Sequence, residues 1–170
     1  MSEAAFRPEE ILEVLARHEV EYVLIGGLAA TLHGAAYVTV DLDITPSTHR
    51  ENLDRLSAAL RDLDAKVRSV DAPDESGLPF DHAGESLARA RVWNLTTSAG
   101  NLDICVEPAG TSGYEDLRRD AVTIELGGAR VKVASLADVV RSKEAAGREK
   151  DRLALPMLRR LLEAQRRGST

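Results

Sequence analysis

The sequence predicts an α+β fold, a mixed β-sheet with flanking helices and a C-terminal helical segment. Three observations carry that reading. Short runs rich in β-branched residues, among them "EYVLI", "YVTVDLDI" and "NLDICV", alternate with stretches of helical periodicity. Two pairs of such runs are joined by short glycine-containing turns, as hairpins require. From Ser135 onward the pattern is almost wholly helical.

Each element follows in order. Ile11, Leu12, Val14 and Leu15 behind "RPEE" have helical spacing, with Pro8 and the glutamates suited to a first turn. "EYVLI" (21–25) reads as a buried strand, Gly26-Gly27 as its tight exit, and "LAATLHG" as a helix ended by Gly34. "YVTVDLDI" reads as a second strand stopped by Pro46. Leu53, Leu56, Leu60 and Leu63 mark a helix opening after Ser47 or Thr48, followed by a strand near 66–70. The Pro, Gly and Asp content of 71–84 predicts a loop. "RVWNLTT" and "NLDICV" form one hairpin, and "VTIEL" and "ARVKV", joined by Gly127-Gly128, form another. Ser135 with Asp138 has the form of a capping box before "LADVVRSKEAAG". A last helix is expected from about Arg152 to Arg167, kinked or restarted at Pro156.

Composition narrows the chemistry. Hydrophobic content of 44% and charged content of 29% are ordinary for a globular chain. No apolar run approaches membrane-spanning length and "MSEAAFRPEE" has no signal-peptide pattern, so a cytoplasmic protein without a membrane partner is expected. Cys105 is the only cysteine, and His18, His33, His49 and His82 have no zinc-site spacing. The net charge of −6 is unevenly spread: residues 141–170 hold nine Lys/Arg against four Asp/Glu, while 1–140 hold 13 against 24. That basic tail is either a solvated helix face or a phosphate-binding surface.

The aspartates of "VTVDLDIT" are the informative residues. Strand side chains alternate, so Asp41 and Asp43 share one face, with Cα atoms about 6–7 Å apart, and Val38, Val40, Leu42 and Ile44 take the other. Two carboxylates side by side repel and gain nothing from a dry core. Magnesium, held typically by one or two carboxylates plus substrate phosphates, resolves the conflict. An isolated DxD is more often the solvent-facing side of an edge strand, so the pair alone is a weak signal. Asp103, a third lone carboxylate among apolar strand residues, could be carried beside the pair by a neighbouring strand, and three carboxylates suffice for two ions. The strand ending in Gly-Gly and opening a helix offers backbone N–H groups to a triphosphate, although no Walker lysine follows.

Strand, glycine pair, helix, DxD strand and distant aspartate, in this order, resemble the DNA polymerase β-type nucleotidyltransferases, and within them the AbiEii-like or MenT-like toxin group. The resemblance runs from "YVLIGGLAATLHG" through "TVDLDI" and "GNLDICV" to "VKVASLADVVRSKEAAGREKD". It implies the nucleotidyltransferase fold, with 1–134 as core and 135–170 as a C-terminal helical segment packed on it within one structural domain. It implies Asp41, Asp43 and Asp103 as catalytic and metal-binding residues, the third also helping to activate the acceptor hydroxyl. Gly26, Gly27, Thr39, Lys143, Arg148 and Lys150 would bind the nucleotide, with Asp151 in the same segment. The cofactor would be Mg²⁺, two ions, with Mn²⁺ able to replace it. The partners would be an NTP, the tRNA acceptor end and a cognate antitoxin. Two departures stand out: Tyr37 and Val40 occupy positions where relatives often carry a basic residue, and Gly-Gly replaces the commoner Gly-Ser. The competing expectations are an antibiotic nucleotidyltransferase acting on an aminoglycoside or lincosamide, and a noncatalytic binding or antitoxin-like partner.

The remaining residues are expected to be structural. His33 would close a helix, Cys105 would be a buried small hydrophobe, Trp93 core, and Ser135 a cap. Lys143 is either a solvated lysine or a phosphate ligand.

Overall fold

The computed structural model describes residues 4–36, 38–68 and 83–168. Tyr37, His82 and most of the expected 71–84 loop lie outside these residues. One seven-stranded mixed sheet organises the chain, in the order β3-β4-β5-β2-β1-β7-β6. The strands are β1 (Tyr22–Ile25), β2 (Asp41–Pro46), β3 (Lys66–Val67), β4 (Val92–Thr97), β5 (Gly100–Cys105), β6 (Val122–Leu126) and β7 (Ala129–Val133). The helices are α1 (Pro8–Arg17), α2 (Gly26–Leu32), α3 (Arg50–Asp62), α4 (Gly84–Leu87), α5 (Tyr114–Leu117), α6 (Leu136–Ala146) and α7 (Glu149–Gly168). The α+β class read from the sequence is what the chain adopts.

Alternation builds the core. Leu42 and Ile44 on β2 and Leu102 and Ile104 on β5 are buried, and they join one cluster with Ile11, Leu12 and Leu15 of α1 and Leu53, Leu56 and Leu60 of α3. Leu155 and Leu158 bring α7 into the same cluster. Ser135 accepts a hydrogen bond from the Asp138 backbone N–H and caps α6, as its sequence pattern predicts. Both hairpins form: β4 and β5 join through Ser98-Ala99, β6 and β7 through Gly127-Gly128. His33 caps α2, and its Nε2 lies 2.8 Å from the Ala134 carbonyl.

Five elements differ from the sequence reading. β2 begins at Asp41, and Val38 and Val40 are 90% and 63% exposed where they were expected to pack. Their neighbours run out: Ile25 opposite Asp43 is the last residue of β1, and Asn101 opposite Asp41 follows directly on the glycine that turns the β4–β5 hairpin. Propensity without a partner strand makes no ladder. The glycine pair forms the first turn of α2 itself, with Ile25 as the residue before the helix. The short helices α4 and α5 were not foreseen, since one turn leaves too little periodicity to detect. Finally, α7 runs unbroken from Glu149 to Gly168 through Pro156. Burial of Leu155 and Leu158 on either side offsets a proline cost of about 3 kcal/mol. No helix among the described residues is long and apolar enough to cross a membrane.

Candidate active site

β2 and β5 run parallel, with Asp43 opposite Asp103 and Asp41 opposite Asn101. All three carboxylates therefore project from one sheet face, while their apolar neighbours fill the other. β1 flanks β2 on the far side and delivers Gly26 to Asp43, because Ile25 is the register partner of Asp43. Gly26 has φ +71°, and a Cβ built there would overlap the Asp43 carboxylate. Only glycine combines this left-handed backbone with so close an approach. Gly26→Ala is accordingly expected to cost about 1–3 kcal/mol and to displace Asp43. Thermal unfolding checks the first part; an unchanged melting temperature would show that the turn relaxes freely.

Opposite the carboxylates stand the cations of the C-terminal segment. A cleft of about 480 Å³ is lined by Gly26, Gly27, Asp41, Asp43 and Asp103 on one side and by Lys143, Arg148 and Lys150 on another. Val92, Cys105, Pro108 and Ala109 supply an apolar wall. The α6–α7 corner turns at Gly147, in the left-handed conformation with φ +60°, and this sharp turn folds the two cationic stretches toward each other. Asp151, fully buried, ties them down. Its carboxylate accepts from Arg148 Nε at 2.7 Å and from the Arg148 backbone N–H at 3.2 Å, and stands 3.4 Å from Lys143 Nζ. Burial pushes the Asp151 carboxyl up, but the hydrogen bonds from Arg148 and the charges of Arg148 and Lys143 outweigh it and hold the group below its ordinary value. Lys143, 16% exposed, is not the solvated lysine of one sequence reading.

Of the residues named from sequence, Gly26, Gly27, Asp41, Asp43, Asp103, Lys143, Arg148 and Lys150 share the cleft. Thr39 does not line it; its hydroxyl donates to the Asp41 carbonyl at 3.0 Å, at the start of β2. Cys105 is half-buried on the cleft wall, and burial pushes its thiol up. Trp93 packs against the core and donates from its indole to the Leu87 carbonyl. One residue was missed altogether. Arg68 follows β3, and its guanidinium lies 2.5 Å from Asp103 Oδ1 and 3.8 Å from Asp41 Oδ1.

The electrostatics of the aspartate face favour a cation. Burial, then the charges of Asp103 and Asp41, push Asp43 up to about 6, against the pull of Lys150 and Lys143. Burial also raises Asp103, against the pull of Arg68. Oxygen-only donors on adjacent strands, next to a glycine with no side chain to obstruct them, match what a magnesium ion with substrate phosphates requires. No three His, Cys, Asp or Glu side chains among the described residues form a ready metal cluster.

No protein-family profile and no curated protein matches the sequence. The fold is similar to that of a Thermotoga maritima protein whose crystal structure is provisionally described as a nucleotidyltransferase, with a TM-score of 0.55 and 18% identity over 94% of this chain and 96% of that one. At such identity the likeness establishes a nucleotidyltransferase-like fold.

Proposed function

We propose that the chain is a metal-dependent nucleotidyltransferase that moves NMP from an NTP to an acceptor hydroxyl. The observation that carries this is the register of β2 on β5. It sets Asp41, Asp43 and Asp103 on one face of a cleft whose other side holds Lys143 and Lys150. Asp41 and Asp43 would hold Mg²⁺, and Asp103 would complete the site and take the proton of the acceptor hydroxyl. When bound, Mg²⁺ supplies charge neutralisation along the triphosphate and a lowered hydroxyl pKa. The backbone N–H groups at Gly26 and Gly27 would meet the phosphates, and Lys143, steadied by Asp151, would stabilise the pyrophosphate as it departs. Incubating the protein with each labelled NTP, Mg²⁺ and either total tRNA or candidate drugs tests the reading. Label transferred to no acceptor under any condition, with no pyrophosphate released, would sink it.

For the acceptor, we favour the 3′ end of tRNA, with the protein acting as a toxin whose antitoxin is a separate chain. Resemblance to the toxin group supports this, as does the run of exposed arginines on α7, including Arg152, Arg160 and Arg166. A small drug acceptor is the second reading. It draws on the apolar cleft wall and on Arg159, which is paired with Glu144 at 3.0 Å and so lends less charge to a nucleic acid. Neutralising Arg159, Arg160, Arg166 and Arg167 together should separate the two. A tRNA acceptor loses several phosphate contacts and its rate becomes less salt-dependent, with a slope of about 0.9 lost for each duplex contact and about 0.7 for each single-stranded one. A drug acceptor barely responds. Equal tRNA modification by variant and parent across a salt series would remove the tail from the account.

A further inference from the structure

Outside the aspartates and the C-terminal cations, Arg68 also reaches the aspartate face. Its backbone N–H donates to the Asn94 carbonyl at 2.9 Å, and Asn94 is the register partner of Asp103. Arg68, Asn94, Asp103 and Asp43 thus stand in one row across β4, β5 and β2. From the β3 end of this row the guanidinium reaches over β4 to Asp103 and on toward Asp41. It hydrogen-bonds Oδ1 of Asp103 and stands at ion-pair distance from Oδ1 of Asp41, oxygens that a divalent cation would need.

We propose that Arg68 is an internal counter-cation, a positioning residue that holds Asp103 and Asp41 in the metal-free protein and competes with the divalent ion for them. The inference rests on reading Asp41, Asp43 and Asp103 as a divalent-cation site. Three adjacent carboxylates with nothing between them would repel, and a planar guanidinium fork suits two of them at once. A divalent cation arriving within about 4 Å of the guanidinium is opposed by the repulsion of like charges. The guanidinium must therefore leave as the metal enters. With a side chain 31% exposed, it has a path to solvent. The contact occupies Asp103 Oδ1, one of the oxygens the ion would use. Metal alone should consequently bind weakly. The phosphates of the nucleotide supply the additional ligands that tip the exchange, which couples metal binding to NTP binding.

Titrating Mn²⁺ without nucleotide into the full chain, followed by the loss of free-ion electron paramagnetic resonance signal, measures this competition. Arg68→Gln should bind Mn²⁺ about tenfold more tightly than the parent, the effect of deleting one nearby like charge. Its metal-free melting temperature should fall, and Arg68→Lys, which keeps the charge without the fork, should lie between the two in affinity. Should Arg68→Gln fail to fold, Arg68→Lys carries the test, and affinity no tighter than the parent's overturns the proposal. Parent and Arg68→Gln binding Mn²⁺ equally would also overturn it while leaving the metal site standing. No binding by either protein would sink the metal site as well. Binding by Arg68→Gln alone would support the competition in its strongest form.

Discussion

Asp43→Asn is expected to reduce nucleotide transfer by about a thousandfold or more, while raising the melting temperature of the metal-free protein at neutral pH. The two effects have one cause. Asp43 is partly buried on the cleft face of β2, against Gly26 and beside two other carboxylates, so its charged form is disfavoured by burial first and by Asp103 and Asp41 second. Its rise from 3.8 to about 6 means that the folded protein takes up a proton which the unfolded chain does not. Stability from this group is therefore full below about pH 4 and is lost as pH climbs through 6, the reverse of an ordinary paired carboxylate. The rise corresponds to at most about 3 kcal/mol at neutral pH. Asparagine keeps the shape and removes the charge, so it should return part of that, a gain of several degrees. Melting curves from pH 4 to 8 in chelator should show the parent declining more steeply than the variant above pH 5. A variant less stable than the parent at pH 7.5 would contradict this electrostatic reading.

Asp151→Asn should be the second most damaging change, although Asp151 is not one of the three carboxylates on the β2–β5 face. Removing its charge leaves Lys143 and Arg148 without the buried anion that anchors both. The expected cost is about 2 kcal/mol of stability, below the range for a fully buried pair because Arg148 is more than half exposed. Lys143 then loses its place in the cleft, and the KM for NTP should rise about tenfold with a fall in kcat. Lys143→Ala should produce much of the same kinetic loss, and the double variant little more than either single one. Strict additivity of the two would show that Asp151 acts on stability alone.

These two aspartates also show where sequence reading succeeds and where it ends. Asp41, Asp43 and Asp103 were legible because a charged residue in a β-branched run is anomalous, and alternation assigns its face without knowledge of the fold. Gly26-Gly27 was legible as a turn, but the collision that demands glycine appears only when β1 is laid beside β2. Asp151 in "GREKD" looks like one solvated charge among several. Its burial depends on the Gly147 corner and on the docking of α7, and neither leaves a periodic trace. Arg68 had no signal at all: a lone arginine after a two-residue strand acquires meaning only through the register of β3, β4, β5 and β2. Local pattern thus singled out the three strand aspartates, while strand order decided what they meet.

The aspartate face is proposed to bind a divalent cation together with a nucleoside triphosphate. Calorimetric titration of a nonhydrolysable NTP into the parent and into Asp43→Asn, each with and without Mg²⁺, tests it most directly. The account predicts saturable binding to the parent only when Mg²⁺ is present, and at least a tenfold loss of affinity in Asp43→Asn under the same conditions. Binding of equal strength with and without Mg²⁺, unchanged by Asp43→Asn, would contradict it.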